Sequence, residues 1–91
     1  MYSIIYTSAF KKDFKNFSNN QKIVERFKFV IDILSSGNKL PDNFRDHKLK
    51  WNFWECRECH IFPDTLLIYK IDNNELQLLL IRIWSHSELF W

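Results

Sequence analysis

Ninety-one residues with a formal charge of +2 point to a single domain over residues 1–91, long enough to bury a core and too weakly basic to announce a nucleic-acid binder by charge alone. Hydrophobic residues at 46% and aromatics at 18%, against one Gly and two Pro, exclude a disordered or low-complexity chain. No run approaches the roughly 18 apolar residues of a membrane span, and "MYSIIYTSAF" has neither the charged start nor the small-residue cleavage site of an export signal, so a cytoplasmic protein with no membrane partner is expected.

"YSIIY" (2–6) is short, aromatic and β-branched, the signature of a strand, and Thr7 or Ser8 can then cap a helix. In that helix Phe10, Phe14 and Phe17 recur at helical spacing and line one face. Asn19 or Asn20 caps a longer helix in which Ile23, Phe27, Val30, Ile31 and Leu34 repeat until Ser35-Ser36-Gly37-Asn38 stops it, with Gly37 as the left-handed residue after the cap. The stretch 39–52, "KLPDNFRDHKLKWN", loses periodicity and predicts a surface loop. Then come "FWECRECHIF", "TLLIYKI" and "ELQLLLIRIW", separated by Pro63-Asp64 and Asp72-Asn73-Asn74, which predict an antiparallel meander. The order β-α-α-β-β-β is an α+β arrangement with a two-helix hairpin on one face of an antiparallel sheet and the other face left for function.

The string Cys56-Arg57-Glu58-Cys59-His60 matches the C-x-x-C-H pattern of haem attachment. A strand places Cys56, Glu58, His60 and Phe62 on one side and Arg57, Cys59 and Ile61 on the other, so the two cysteines cannot jointly clamp a haem edge or zinc. With no export signal and no Met beyond Met1 as an axial ligand, two free, buried cysteines are the expectation. His60 is the informative member, because Asp64 follows it across the Pro63 turn, where an acid and an imidazole can meet.

The other two histidines also have suggestive neighbours: His47 in "RDHKL" and His86 in "RIWSHSELF", four residues after Arg82. With Arg45, Lys48, Lys50 and Arg57 close in sequence, this set suits an anionic substrate broken by proton transfer and charge stabilisation. RNA cleavage fits: a base takes the 2′-OH proton, the 2′-oxygen attacks the adjacent phosphate, and an acid protonates the leaving 5′-oxygen. No cofactor is needed, and no H-x-x-x-H or H-E-x-x-H spacing supports a zinc site from His60, Asp64 and His86.

"DHKL", "RECHIFPDTLLIYKI" and "RIWSHSELF" resemble the mRNA-cleaving toxins of the YafQ branch of the RelE/ParE superfamily, and the likeness extends over essentially the whole chain. The resemblance implies a RelE-like fold and a type II toxin, silenced by a cognate antitoxin and cutting mRNA on the ribosome, in contact with ribosomal RNA. It implies general acid/base work on His47, His60, Asp64 and His86, charge stabilisation by Arg82, and a stacking or supporting role for Phe90. This chain has Thr65 where such toxins often carry an aromatic or Leu. It has Trp51, Glu55 and Trp84 where relatives usually have Gly.

Trp84, on the strand face of Arg82, is a candidate stacking surface in place of position 65. The competing expectation is an attenuated member of the same fold that works mainly by binding its antitoxin. A gyrase-poisoning toxin of the ParE branch shares the fold but not the three histidines.

Overall fold

The structure, a computed structural model, describes residues 1–49 and 55–85. Strand β1 (Ser3–Tyr6) passes directly into helix α1 (Ser8–Phe14) because Thr7 serves both elements. Its Oγ1 accepts the Phe10 N–H at 3.2 Å as an N-cap and donates to the Leu80 carbonyl at 2.7 Å, tying the strand-helix junction to the far side of the sheet. Helix α1 ends at Phe14, earlier than the Phe repeat suggests. Tight turns from Phe14 to Phe17 and from Phe17 to Asn20 carry the chain on and still bury Phe17.

Helix α2 (Gln21–Ser35) opens on Asn20, whose Oδ1 accepts the Ile23 N–H at 3.2 Å. It closes in a Schellman motif, with Gly37 (φ 82°) donating to Leu34 O and Asn38 to Ile33 O, both at 3.1 Å. The helices lock through their aromatic faces: the Phe10, Phe14 and Phe27 rings lie 5.4, 5.6 and 5.0 Å apart. Among the described residues, no helix is long and apolar enough to cross a membrane.

A 3-10 turn (Asp42–Phe44) and four strands follow: β2 (His47–Lys48), β3 (Arg57–Phe62), β4 (Thr65–Asp72) and β5 (Gln77–Ser85). The α+β class and the helix hairpin on one face are as expected, and two details differ. The five-stranded sheet, in the order β1-β5-β4-β3-β2, is mixed rather than antiparallel, because β5 runs parallel to β1 while the other neighbours are antiparallel. The expected 39–52 loop also contains strand β2. Its anchor is Asp46, whose Oδ1 accepts from the Tyr69 hydroxyl at 2.7 Å and from Arg57 Nε at 3.0 Å; beyond the strand, the Leu49 N–H reaches Cys56 O at 2.9 Å. Local periodicity carries no signal for an edge strand recruited by a partner 23 residues away.

Alternation along the central strand β4 sorts the two faces. Leu67 and Tyr69 are fully buried with Cys59, Ile61, Leu78, Leu80 and Ile83 against Phe10, Phe27, Val30 and Leu34. Leu66 and Ile68 point to the opposite face, which the helices leave open. Two register shifts modify the pattern, one in β3 between His60 and Phe62 and one opposite Ile68/Tyr69 that skips Ile81 in β5. The shift at Ile61 lets both Ile61 and Phe62 pack against the helix side.

Glu55 sits at φ 70°, a left-handed backbone in which an L side chain crowds its own carbonyl, and this is one of the positions where relatives carry Gly. Its ion pair to Lys70 is long, 3.8 Å, and exposed, so little is lost with the side chain. Glu55→Gly is expected to raise stability by about 0.5–1 kcal/mol, the relief of strain outweighing the extra freedom of the unfolded chain. A chemical-denaturation midpoint shifted upward at unchanged slope is the confirming result.

Candidate active site

Residues directly paired across neighbouring strands project from the same face, so the register alone defines a site. One row on the open face reads His47, Glu58, Ile68, Arg82, and the next reads His60, Leu66, Trp84. The histidines thus lie on one side of β4 and Arg82 with Trp84 on the other, roughly two strand spacings or about 10 Å away. Leu66 and Ile68 form an apolar strip between them.

The two histidines share one orientation scheme. His47 Nδ1 lies 2.6 Å from Arg45 O and His60 Nδ1 lies 3.4 Å from Pro63 O. Carbonyls only accept, so each Nδ1 carries the proton and each Nε2 is the nitrogen that exchanges one. Both Nε2 atoms turn toward Glu58 Oε2, at 3.4 Å from His47 and 3.6 Å from His60, with the ring centroids 6.5 Å apart. A single carboxylate therefore stands ready to steady either imidazolium. Sequence reasoning left Glu58 out of the site, although its position two residues before His60 on a strand was signal enough.

Arg82 is held by Asp13 of α1, with Nε to Oδ2 at 2.6 Å and Nη2 to Oδ1 at 2.9 Å, and its Cζ lies 4.7 Å from the Trp84 ring centre. Asp13 Oδ2 also accepts the Ile83 N–H at 3.3 Å, on the stretch of β5 that runs past the end of β1. Asp13 is one of two buried polar side chains among the described residues, and its role is to close a sheet edge while aiming a guanidinium.

Several expected residues lie elsewhere. The anticipated meeting of His60 with Asp64 is not in the structure: the register shift at Ile61 turns His60 toward Glu58 and Pro63, while Asp64 accepts from Thr65 Oγ1 at 3.3 Å and lines a different cavity with Asn20 and Lys22. Arg57 and Lys48 are paired with each other across β2 and β3, on the face away from the histidines. Burial opposes the Arg57 charge, but hydrogen bonds to Asp46 and Tyr69 more than offset it and raise its pKa, so this arginine is committed to the Asp46 anchor. Lys50, His86 and Phe90 lie outside the described residues, as does Trp51.

The two cysteines are free and lie on opposite sides, Cys59 in the core and Cys56 outside it. Burial pushes both thiols above their ordinary pKa, so neither is a nucleophile or a ready metal ligand.

Two imidazoles and a carboxylate facing an arginine across an apolar strip define an acid–base site for an anionic substrate, carried on a two-helix, five-stranded fold. The chain belongs to the YafQ family, whose model, a bacterial toxin of type II toxin-antitoxin systems, matches residues 2–91. It is 31% identical over 88 residues to the mRNA interferase toxin YafQ of Escherichia coli strain B/BL21-DE3, covering 96% of this chain and 94% of that one. Among solved structures, a metal-bound toxin from Helicobacter pylori superposes with a TM-score of 0.88 at 38% identity, covering 99% of this chain and all of that one. YafQ in the E. coli DinJ–YafQ complex superposes with a TM-score of 0.84 at 29% identity, with 100% of each chain covered.

Replacing Asp13 by Ala removes both hydrogen bonds to Arg82 and the acceptor of the Ile83 N–H. With Arg82 partly exposed and its pairing screened accordingly, the expected cost is about 2 kcal/mol. Thermal unfolding together with loss of amide-exchange protection at Ile83 measures it; an unchanged midpoint would show that the edge closes without this carboxylate.

Proposed function

We propose that this chain is an mRNA-cleaving toxin restrained by a cognate antitoxin, and that it cuts on the ribosome without a metal by 2′-oxygen attack on the phosphodiester. The observation that carries this reading is the convergence of His47 Nε2 and His60 Nε2 on Glu58, across the open face from Arg82. In the proposed reaction one Nε2 takes the ribose 2′-OH proton as the 2′-oxygen bonds to phosphorus. A protonated group delivers a proton to the departing 5′-oxygen, leaving a 2′,3′-cyclic phosphate and a 5′-hydroxyl.

Glu58 is assigned as the positioning residue that holds the rings and stabilises the imidazolium formed. Arg82, fixed by Asp13, is assigned to the charge that builds on the phosphate oxygens. His86 and Asp64 retain their acid/base assignments, and Phe90 its supporting one, on the strength of the family motif. The antitoxin partner follows from family membership and from the DinJ–YafQ complex.

Programmed ribosomes incubated with purified protein, with and without chelator, test this. His60→Ala and His86→Ala are each expected to lower the cleavage rate by about 10²–10⁴-fold, the usual worth of a general acid or base. Glu58→Ala should lower it by about 10–100-fold, as loss of an orienting partner does. Cleavage abolished by chelator would overturn metal independence. Absence of cleavage with antitoxin binding intact would establish the attenuated, antitoxin-binding alternative.

Trp84 has a separate expectation. Its ring lies under the Arg82 guanidinium on the open face, so it can carry the stacking that Thr65, buried and hydrogen-bonded to Asp64, does not supply. Trp84→Gly should reduce the single-turnover cleavage rate by about tenfold, in line with the loss of one stacking contact. Unchanged or faster cleavage rules the platform out.

A further inference from the structure

Beside His60 lies a cavity of about 280 Å³ lined by Arg26, Asn43, Arg45, His60, Phe62 and Pro63. Its lining includes two guanidiniums and an imidazole and no carboxylate. The volume is several times the roughly 30 Å³ that a water molecule occupies in the liquid. No function assigned above uses it.

Both arginines are placed rather than merely near. Arg26, on α2, donates through Nε to Ile61 O, the carbonyl of the residue that the β3 register shift removes from the pairing with β4. Its Cζ lies 4.6 Å from the Phe44 ring centre and 4.9 Å from that of Phe62, so the guanidinium is flanked by two aromatic rings with no carboxylate paired to it among the described residues. A guanidinium fixed by one N–H and two ring faces keeps its remaining donors preorganised for an acceptor.

Arg45 adopts a left-handed backbone, φ 51°, where a non-glycine residue costs about 1–2 kcal/mol. That kink does two things at once: it presents the Arg45 carbonyl to His47 Nδ1 and sends the Arg45 side chain to the wall of the His60 cavity.

We propose that this cavity is a second phosphate subsite, which takes the phosphate next to the scissile one along the RNA and so sets the strand's position before His60 acts. The proposal rests on the RNA-cleaving reading of the His47–Glu58–His60 site. An RNA phosphate is favoured over an acidic antitoxin side chain because the cavity includes the proposed acid/base residue itself, so a strand reaching His60 has to place its neighbouring phosphate there.

Two measurements on the full chain separate this proposal from that reading. The first needs no turnover: titration with a nucleoside 3′,5′-bisphosphate, followed by NMR at the Nε resonances of Arg26 and Arg45. A saturable shift at both, weakened about tenfold in Arg45→Ala and partly restored in Arg45→Lys, is expected. Shifts confined to His47 and His60, with Arg45→Ala binding as wild type does, overturn the proposal whether or not the protein cleaves RNA.

The second measurement compares kcat/KM on RNA and on RNA with a neutral methylphosphonate beside the scissile phosphate. Wild type should lose about tenfold on the neutral substrate, and Arg45→Ala about tenfold on normal RNA with no further loss on the neutral one. Independent, multiplying losses overturn the subsite. Unchanged cleavage by Arg45→Ala with weakened antitoxin binding also overturns it, assigning the cavity to the protein partner. Arg45→Gly, which removes the charge while relieving the backbone, should fold at least as stably as wild type and cleave like Arg45→Ala. Recovery of wild-type cleavage in it would trace the Ala defect to backbone strain and defeat the proposal.

Discussion

Strand β4 imposes the constraint from which everything else is measured. It is central in the sheet and buried along most of its length, so each of its side chains is committed to one of two faces. Leu67 and Tyr69 are spent on the helices, and Leu66 and Ile68 on the open side. A slip of one residue against β3 or β5 would move every partner to the wrong face: Glu58 and Arg82 opposite Ile68, His60 and Trp84 opposite Leu66. The same apolar burial that stabilises the fold therefore fixes which polar groups meet across it.

On that frame, two carboxylates do the work of joining elements that sequence keeps far apart. Asp13 ties α1 to the overhanging end of β5 and orients Arg82. Asp46 draws the segment after the 3-10 turn onto β3 through Tyr69 and Arg57, which creates β2 and brings His47 opposite Glu58. Burial and then the hydrogen bond to Asp46 push the Tyr69 hydroxyl well above its ordinary pKa, so it remains a donor and the anchor persists across the neutral range. Each hook spends a buried charge on geometry, and each delivers one member of the acid–base face.

The register shifts divide the labour differently. By skipping Ile61, the shift in β3 gives its carbonyl to Arg26, turns Phe62 toward the helices and separates His60 from Asp64. The C-x-x-C-H string that looks like a cofactor motif is resolved by the same strand. One cysteine fills the core, the other lies outside it, and only Glu58 and His60 face the site. Spacing within a strand reports which face a residue takes; it does not report chelation.

Much was legible in the sequence because it depended on local rules. The helices, their Thr7, Asn20 and Gly37 boundaries, the three long strands and the split of Cys56 from Cys59 all follow from periodicity, capping and alternation, which act over a few residues. The family motif supplied the histidines and Arg82 as candidates.

Only the tertiary structure decided the parallel pairing of β1 with β5, the capture of β2, the choice of Glu58 over Asp64 as partner of His60, and the Arg26–Arg45 cavity. Those features are set by contacts 11 to 70 residues apart and by a one-residue register shift. Both are products of three-dimensional packing, and neither leaves a periodic trace along the chain.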